Sequence, residues 1–234
     1  MQGFQKVVGH QEIITHLQNA ISMNKVSHAY LFGGESGSGK KMMASLFAMT
    51  LQCEKHGVEP CMECPSCKKA QSQNHPDIIY VKHEKPNTIS IDEIREQLIN
   101  DVMIKPYSSP YKIYIIDEAQ KLTLQAQNAL LKILEEPPDY GVFLILSTNA
   151  ERLLPTIRSR CTELQLGPVA QDEALPFLRQ NAPDKPDGVL RAAYLRAGGF
   201  LGQALTLLLD AEDEPFVRQF AAAYAAHDRM ALLR

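Results

Sequence analysis

The sequence predicts an α/β domain, a parallel sheet with helices on both faces, followed by a small all-helical domain. Three observations carry this. Short apolar runs alternate with segments at helical spacing between Ala29 and Leu166, and parallel strands need the crossover connections that such helices supply. A glycine-rich segment separates the first of these runs from a helix. Past Gly167 the pattern is helical.

The elements follow in order. Ile13, Ile14, Leu17, Ala20 and Ile21 fall at helical spacing and predict an amphipathic helix ending near Asn24. Ala29 to Gly33 reads as a buried strand, and Lys40 to Leu51 as the helix that the glycine-rich turn opens. Ile78 to Val81 is a second β-rich run. Ser90 and Glu93 form a capping box ahead of an Ile91, Ile94, Leu98 stripe. Lys112 to Asp117 reads as a third strand, and Leu124 to Leu134 as a helix closed off by Pro137 and Pro138. Val142 to Ser147 gives a fourth strand and Leu164 to Leu166 a candidate fifth at the sheet's edge. Beyond Gly167, Leu175, Phe177, Leu178, Val189 to Leu195 and Ala204 to Leu209 predict a helical bundle, with Pro183 and Pro186 marking a loop.

A chain of 234 residues, 45% of them hydrophobic, can divide its core between two domains. The expected boundaries are residues 1–166 for the sheet domain and 167–234 for the helical one. With 24 basic and 27 acidic residues the net charge is −3, too little attraction for a polyanion to bind the molecule as a whole. Any contact with DNA must be local or made through partners. No apolar stretch is long enough to span a bilayer, and Met1 to Gly9 lacks the basic and apolar regions of a signal peptide, so a cytoplasmic protein is expected.

Gly34-Glu35-Ser36-Gly37-Ser38-Gly39-Lys40-Lys41 nearly satisfies the P-loop pattern, after a strand and opening a helix. Glycines 34, 37 and 39 let backbone amides face phosphates, the helix N-terminus favours negative charge, and Lys40 would reach the terminal phosphates. The last position departs from the pattern. Lys41 stands where a Ser or Thr hydroxyl coordinates Mg²⁺, and an ammonium group cannot be a metal ligand. Asp117 and Glu118 end a buried run, where P-loop proteins place the Asp that holds the magnesium shell and a Glu that polarises water. Ser147-Thr148-Asn149, ending the fourth strand, is either a simple turn or a polar group beside a γ-phosphate.

Cys53, Cys61, Cys64 and Cys67 give C-x₇-C-x₂-C-x₂-C, four soft thiolates in one polar segment that suit tetrahedral zinc. Four protein ligands leave no vacant position, so the site is expected to be structural. The fifth cysteine, Cys161, stands alone after Arg158-Ser159-Arg160. Two nearby arginines alone most often mark a solvated surface.

Together these segments resemble bacterial DNA polymerase III clamp-loader subunits of the AAA+ family. The resemblance rests on Val7-Val8-Gly9-His10, His28-Ala29-Tyr30-Leu31-Phe32, the four-cysteine insert, Asp117-Glu118-Ala119-Gln120, Asn128-Ala129-Leu130-Leu131-Lys132, Leu134-Glu135-Glu136-Pro137-Pro138, Ser147-Thr148-Asn149 and Ser159-Arg160-Cys161. It implies a P-loop AAA+ domain with a zinc module at residues 53–67, a helical lid and a third, collar domain. This chain stops soon after Met230 and is expected to be truncated, without the collar. The family's motor branch, gamma/tau, keeps Thr after the P-loop Lys and a sensor arginine in its second domain. Here Lys41 and Gly202 occupy those positions, so the resemblance points to the non-motor delta-prime branch.

For that branch the resemblance implies Arg160 as a finger acting in trans, on the nucleotide of an adjacent motor subunit. It also implies a hetero-oligomer with gamma/tau and delta, opening of a sliding clamp, and contact with primed DNA through the complex. Its own degenerate nucleotide site (Gly34, Gly37, Gly39, Lys40, Lys41, Asp117, Glu118 and Asn149) is expected to bind Mg-ATP weakly, with negligible turnover. The alternative is an active gamma/tau-like ATPase in which water or Asp117 holds Mg²⁺. A third reading makes the cysteine module a nucleic-acid reader, but Glu54, Glu59 and Glu63 offset Lys68 and Lys69.

Overall fold

The computed structural model describes residues 3–210, and the chain divides after Gly167 into two compact units. The first is built on five parallel strands: β1 (Ala29–Gly33), β2 (Ile78–Val81), β3 (Lys112–Ile116), β4 (Gly141–Ser147) and β5 (Thr162–Gln165), in the spatial order β2-β3-β4-β1-β5. Its helices are α1 (Gln11–Ser22), α2 (Lys40–Leu51), α3 (Pro65–Gln71), α4 (Ile91–Ile94), α5 (Asn100–Val102), α6 (Leu124–Glu135) and α7 (Pro155–Arg158). This is the expected P-loop AAA+ architecture.

Alternation along β1 shows why helices cover both faces. Tyr30 and Phe32 join one apolar core with Met43 and Phe47 of α2, while Ala29 and Leu31 join a second with Leu130 and Leu134 of α6. Every residue of β1, β3 and β4 is buried, so these central strands read as unbroken apolar runs. The edge strands β2 and β5 are only partly covered. The one charged residue inside a central strand, Lys112, is compensated: its Nζ meets Asp101 Oδ1 at 2.8 Å and donates to the carbonyls of Asp101 and Ile104.

The capping box forms as expected, with Ser90 Oγ accepting from Glu93 N and the Glu93 carboxylate accepting from Ser90 N at 2.6 Å. Between α4 and α5 the chain takes a π-helical course over Arg95–Ile99. That wider turn keeps Ile94, Leu98 and Val102, spaced four apart, on the buried face.

Three details differ from expectation. β3 stops at Ile116, because Asp117 Oδ1 accepts from Glu118 N and Glu118 takes a left-handed φ of 54°. β5 begins at Thr162, two residues early, where it pairs with Tyr30. The cysteine segment, polar in composition, contains a helix. Pro65 begins α3, and the Cys64 side chain caps it by accepting from Cys67 N.

The second unit contains α8 (Gln171–Asn181), α9 (Asp187–Arg196) and α10 (Leu201–Asp210), packed through Leu178, Leu190, Ala193, Ala204 and Leu208. Arg179 grips both carboxylate oxygens of Asp187 across the loop that holds Pro183 and Pro186. Gly202 lies in α10. Residues 211–234 of the expected helical domain lie outside the described residues. No helix among the described residues is long and apolar enough to cross a membrane.

Candidate functional site

β1 delivers the glycine-rich loop to the carboxyl edge of the sheet, where open α/β sheets bind ligands. Gly34 N donates to Ser147 O at 3.2 Å, tying the loop to the end of β4. At Gly34 φ is +148°, and a Cβ would lie 2.5 Å from Leu166 O and 2.8 Å from Ser38 Oγ, so no side chain fits. Gly37 and Gly39 also take positive φ, turning the chain into α2. Lys40 does not project from this turn. Its buried ammonium donates to Gly34 O at 2.6 Å, Glu35 O at 2.8 Å and Ser38 Oγ at 3.4 Å, bracing the loop from within. Burial pulls its pKa down, against Asp117 and Glu35, which raise it.

Lys41 reaches across to the end of β3, where its Nζ lies 3.3 Å from Asp117 Oδ2. With side chains 59% and 37% exposed, this pair stabilises the fold by no more than about 1 kcal/mol. Its importance is chemical. The residues here do not fit a magnesium ion, since an ammonium replaces the metal-holding hydroxyl and already neutralises the carboxylate that would share the ion.

Glu118 is equally engaged. Lys121 Nζ meets its Oε1 at 2.6 Å and His83 Nε2 its Oε2 at 3.1 Å. The Lys121 hydrogen bond, with His83 adding to it, holds the Glu118 carboxyl below its ordinary pKa. Asn149 Oδ1 accepts from Glu151 N at 3.0 Å, closing the turn after β4, while Gln120 Oε1 accepts from Ser147 Oγ and Thr148 N.

β4 lies between β1 and β3, so the fold gathers the glycine-rich loop, Lys41, Asp117, Glu118 and the start of the 147–149 turn at one sheet edge. It does not bring Arg160 there. Arg160 precedes β5, whose first residue pairs with Tyr30 near the start of β1, and so occupies the opposite, amino edge. Its Nη2 meets Glu135 Oε1 at 2.9 Å and its Nη1 donates to Thr156 O at 2.9 Å. Arg158, by contrast, closes its fork on both oxygens of Glu163.

Cys53 follows α2, and Cys61, Cys64 and Cys67 fold back beside it, with all four sulfurs within 4.8 Å of one another. Cys61 and Cys67 are 3.9 Å apart, close to the S···S separation of about 3.8 Å that tetrahedral Zn–S bonds of about 2.3 Å require. The amides of Cys61, Cys64 and Cys67 point at the sulfurs of Cys53, Cys61 and Cys64. Amides of Glu63 and Cys64 pull the Cys61 thiol down to about 6, while burial pushes Cys67 up. This donor set fits a soft, dicationic metal. Among the described residues Cys161 belongs to no such group, and burial raises its thiol to about 12.

The family described as DNA polymerase III, delta subunit, matches residues 9–170. The chain belongs to that family. It is 43% identical over 212 residues to the DNA polymerase III subunit tau of Bacillus subtilis, covering 88% of this chain and 37% of that one. It is 40% identical over 154 residues to the delta' subunit of the same organism, covering 65% and 46%. The chain thus spans less than half the length of either relative. A gamma subunit-related protein of Thermotoga maritima shares the fold, with a TM-score of 0.54 at 20% identity over 93% of this chain and 78% of that one.

Within this delta-subunit family member, sequence reasoning gave no role to His83, Gln120 or Glu135, although Gln120 and Glu135 stand in segments that carry the resemblance. Only Glu135 carries a local signal, a carboxylate at the carboxyl end of a helix, where the dipole disfavours it. His75 was also missed. Its Nδ1 accepts from Asp77 N at 3.1 Å, so its protonated Nε2 donates to Ser66 Oγ at 3.0 Å, and Ser66 donates to Gln52 O. In that tautomer His75 cannot take a proton from Ser66, and the network is structural.

Burial holds both His28 and His75 below the ordinary histidine pKa; at His75 Asp77 opposes this and Lys69 reinforces it. Folding therefore keeps them neutral. Their contribution is complete above the unfolded-state value of about 6.5 and is lost as pH falls below it toward the folded pKa. Urea denaturation at pH 7.5 and 5 is expected to show lower stability at pH 5, with the difference reduced in His75→Gln. An unchanged difference in that variant would count against His75.

Proposed function

We propose that this chain is a delta-prime-type, non-motor subunit of the replicative clamp loader of DNA polymerase III. In this reading residues 1–166 form the AAA+ domain with a structural zinc module at 53–67, and residues 167–234 the helical lid. The subunit joins gamma/tau and delta, helps open the sliding clamp onto primed DNA, and donates Arg160 to an adjacent motor subunit. Family membership supports a clamp-loader subunit. The observation that carries the finer reading is the Lys41–Asp117 pair at 3.3 Å, which puts an ammonium where a working ATPase needs its metal. Arg160 on the sheet edge opposite the glycine-rich loop supports action on a neighbour's nucleotide rather than its own.

A second reading, an active gamma/tau-like ATPase, is favoured by the 43% identity to a tau subunit over 88% of this chain. Titration of the isolated protein with Mg-ATP separates the two. Weak binding without steady hydrolysis is expected; micromolar affinity with sustained phosphate release would establish the second reading instead.

A further inference from the structure

We propose that Glu135 is the positioning residue of Arg160, and that helix α6 is the mount fixing the direction in which the guanidinium is presented. The inference rests on the reading of Arg160 as a finger. Glu135 is the last residue of α6, where unpaired helix carbonyls repel a carboxylate. The 2.9 Å contact with Arg160 Nη2 offsets that repulsion and restrains the arginine.

The segment bearing Arg160 is fastened to the same helix at a second point. Gln127 of α6, itself buried, accepts from Leu154 N at 2.8 Å through Oε1 and donates to Arg152 O at 3.1 Å through Nε2. Thr156 O then takes Arg160 Nη1. The backbone before the arginine and its guanidinium are thus both referred to α6.

The hydrogen-bond pattern leaves the group able to act. A guanidinium has five N–H donors, and Glu135 and Thr156 engage one on each Nη. The remaining donors belong to a side chain 35% exposed. Arg158 shows the contrasting case, its planar fork closed on Glu163. A planar cation held at two of its donors on a partly exposed side chain is pre-organised for an anionic oxygen arriving from outside the subunit.

The test uses the subunit assembled with its motor partners, comparing Glu135→Ala, Glu135→Gln, Arg160→Ala and the double variant E135A/R160A. Glu135→Ala is expected to lower kcat for ATP about 10- to 100-fold, the effect of a misplaced group, with KM unchanged. Glu135→Gln, which keeps an acceptor oxygen, should recover most of that loss. The double variant should match Arg160→Ala, because without the arginine Glu135 has nothing to position. A further loss in the double variant, or full activity in Glu135→Ala, would overturn the proposal. If Arg160→Ala itself turns over normally, the finger reading falls first, a result distinct from failure of the positioning role.

Discussion

Alanine at position 160 is expected to lower ATP turnover at the neighbouring motor site by about 10³- to 10⁵-fold, the contribution of an arginine finger to phosphoryl transfer. The subunit's own fold should survive, because among the described residues the side chain's polar partners are Glu135 and the Thr156 carbonyl; association is expected to persist as well. An exposed pair of that kind stabilises a fold by no more than about 1 kcal/mol. DNA-stimulated phosphate release by the assembled complex gives the measurement, with gel filtration reporting assembly. Wild-type turnover in Arg160→Ala would remove the finger assignment. Loss of assembly with loss of activity would mark Arg160 as an interface residue only.

Substituting Cys67 by serine is expected to abolish zinc binding and to destabilise the first unit. Cys53, Cys64 and Cys67 are buried in one apolar cluster with Phe4, Phe47 and Met49, so the module is continuous with the core. Structural zinc supplies about 10–16 kcal/mol of apparent binding energy in small finger peptides, and loss of a structural metal is among the few single changes that cost on the order of 4 kcal/mol or more. Mass spectrometry should find one zinc per wild-type chain and none in Cys67→Ser. A chelator should lower the wild-type thermal midpoint and leave the variant's unchanged. A wild-type chain that binds no zinc, or whose midpoint ignores the chelator, would defeat this expectation.

The fold was legible wherever a pattern is local. The bounds of β1, β2 and α2 coincide with the sequence reading because turn residues flank apolar runs there. Helix α3 escaped notice because its start signal, Cys64 followed by Pro65, lies within a segment whose composition reads as loop. The candidate site follows the same division. Lys41 stands out as one wrong residue in a fixed motif, yet its partner Asp117 is far along the chain and only the strand order brings them together. The grips of His83 on Glu118 and of Glu135 on Arg160 also depend on tertiary structure, and no spacing rule encodes them.

Three bonds to its own loop occupy the ammonium of Lys40. Replacing it takes a stitch out of the turn between β1 and α2, so the damage should surface as a softened loop and a lower melting point. The customary experiment of disabling a nucleotide site by mutating this lysine would, in this chain, disturb architecture along with any chemistry.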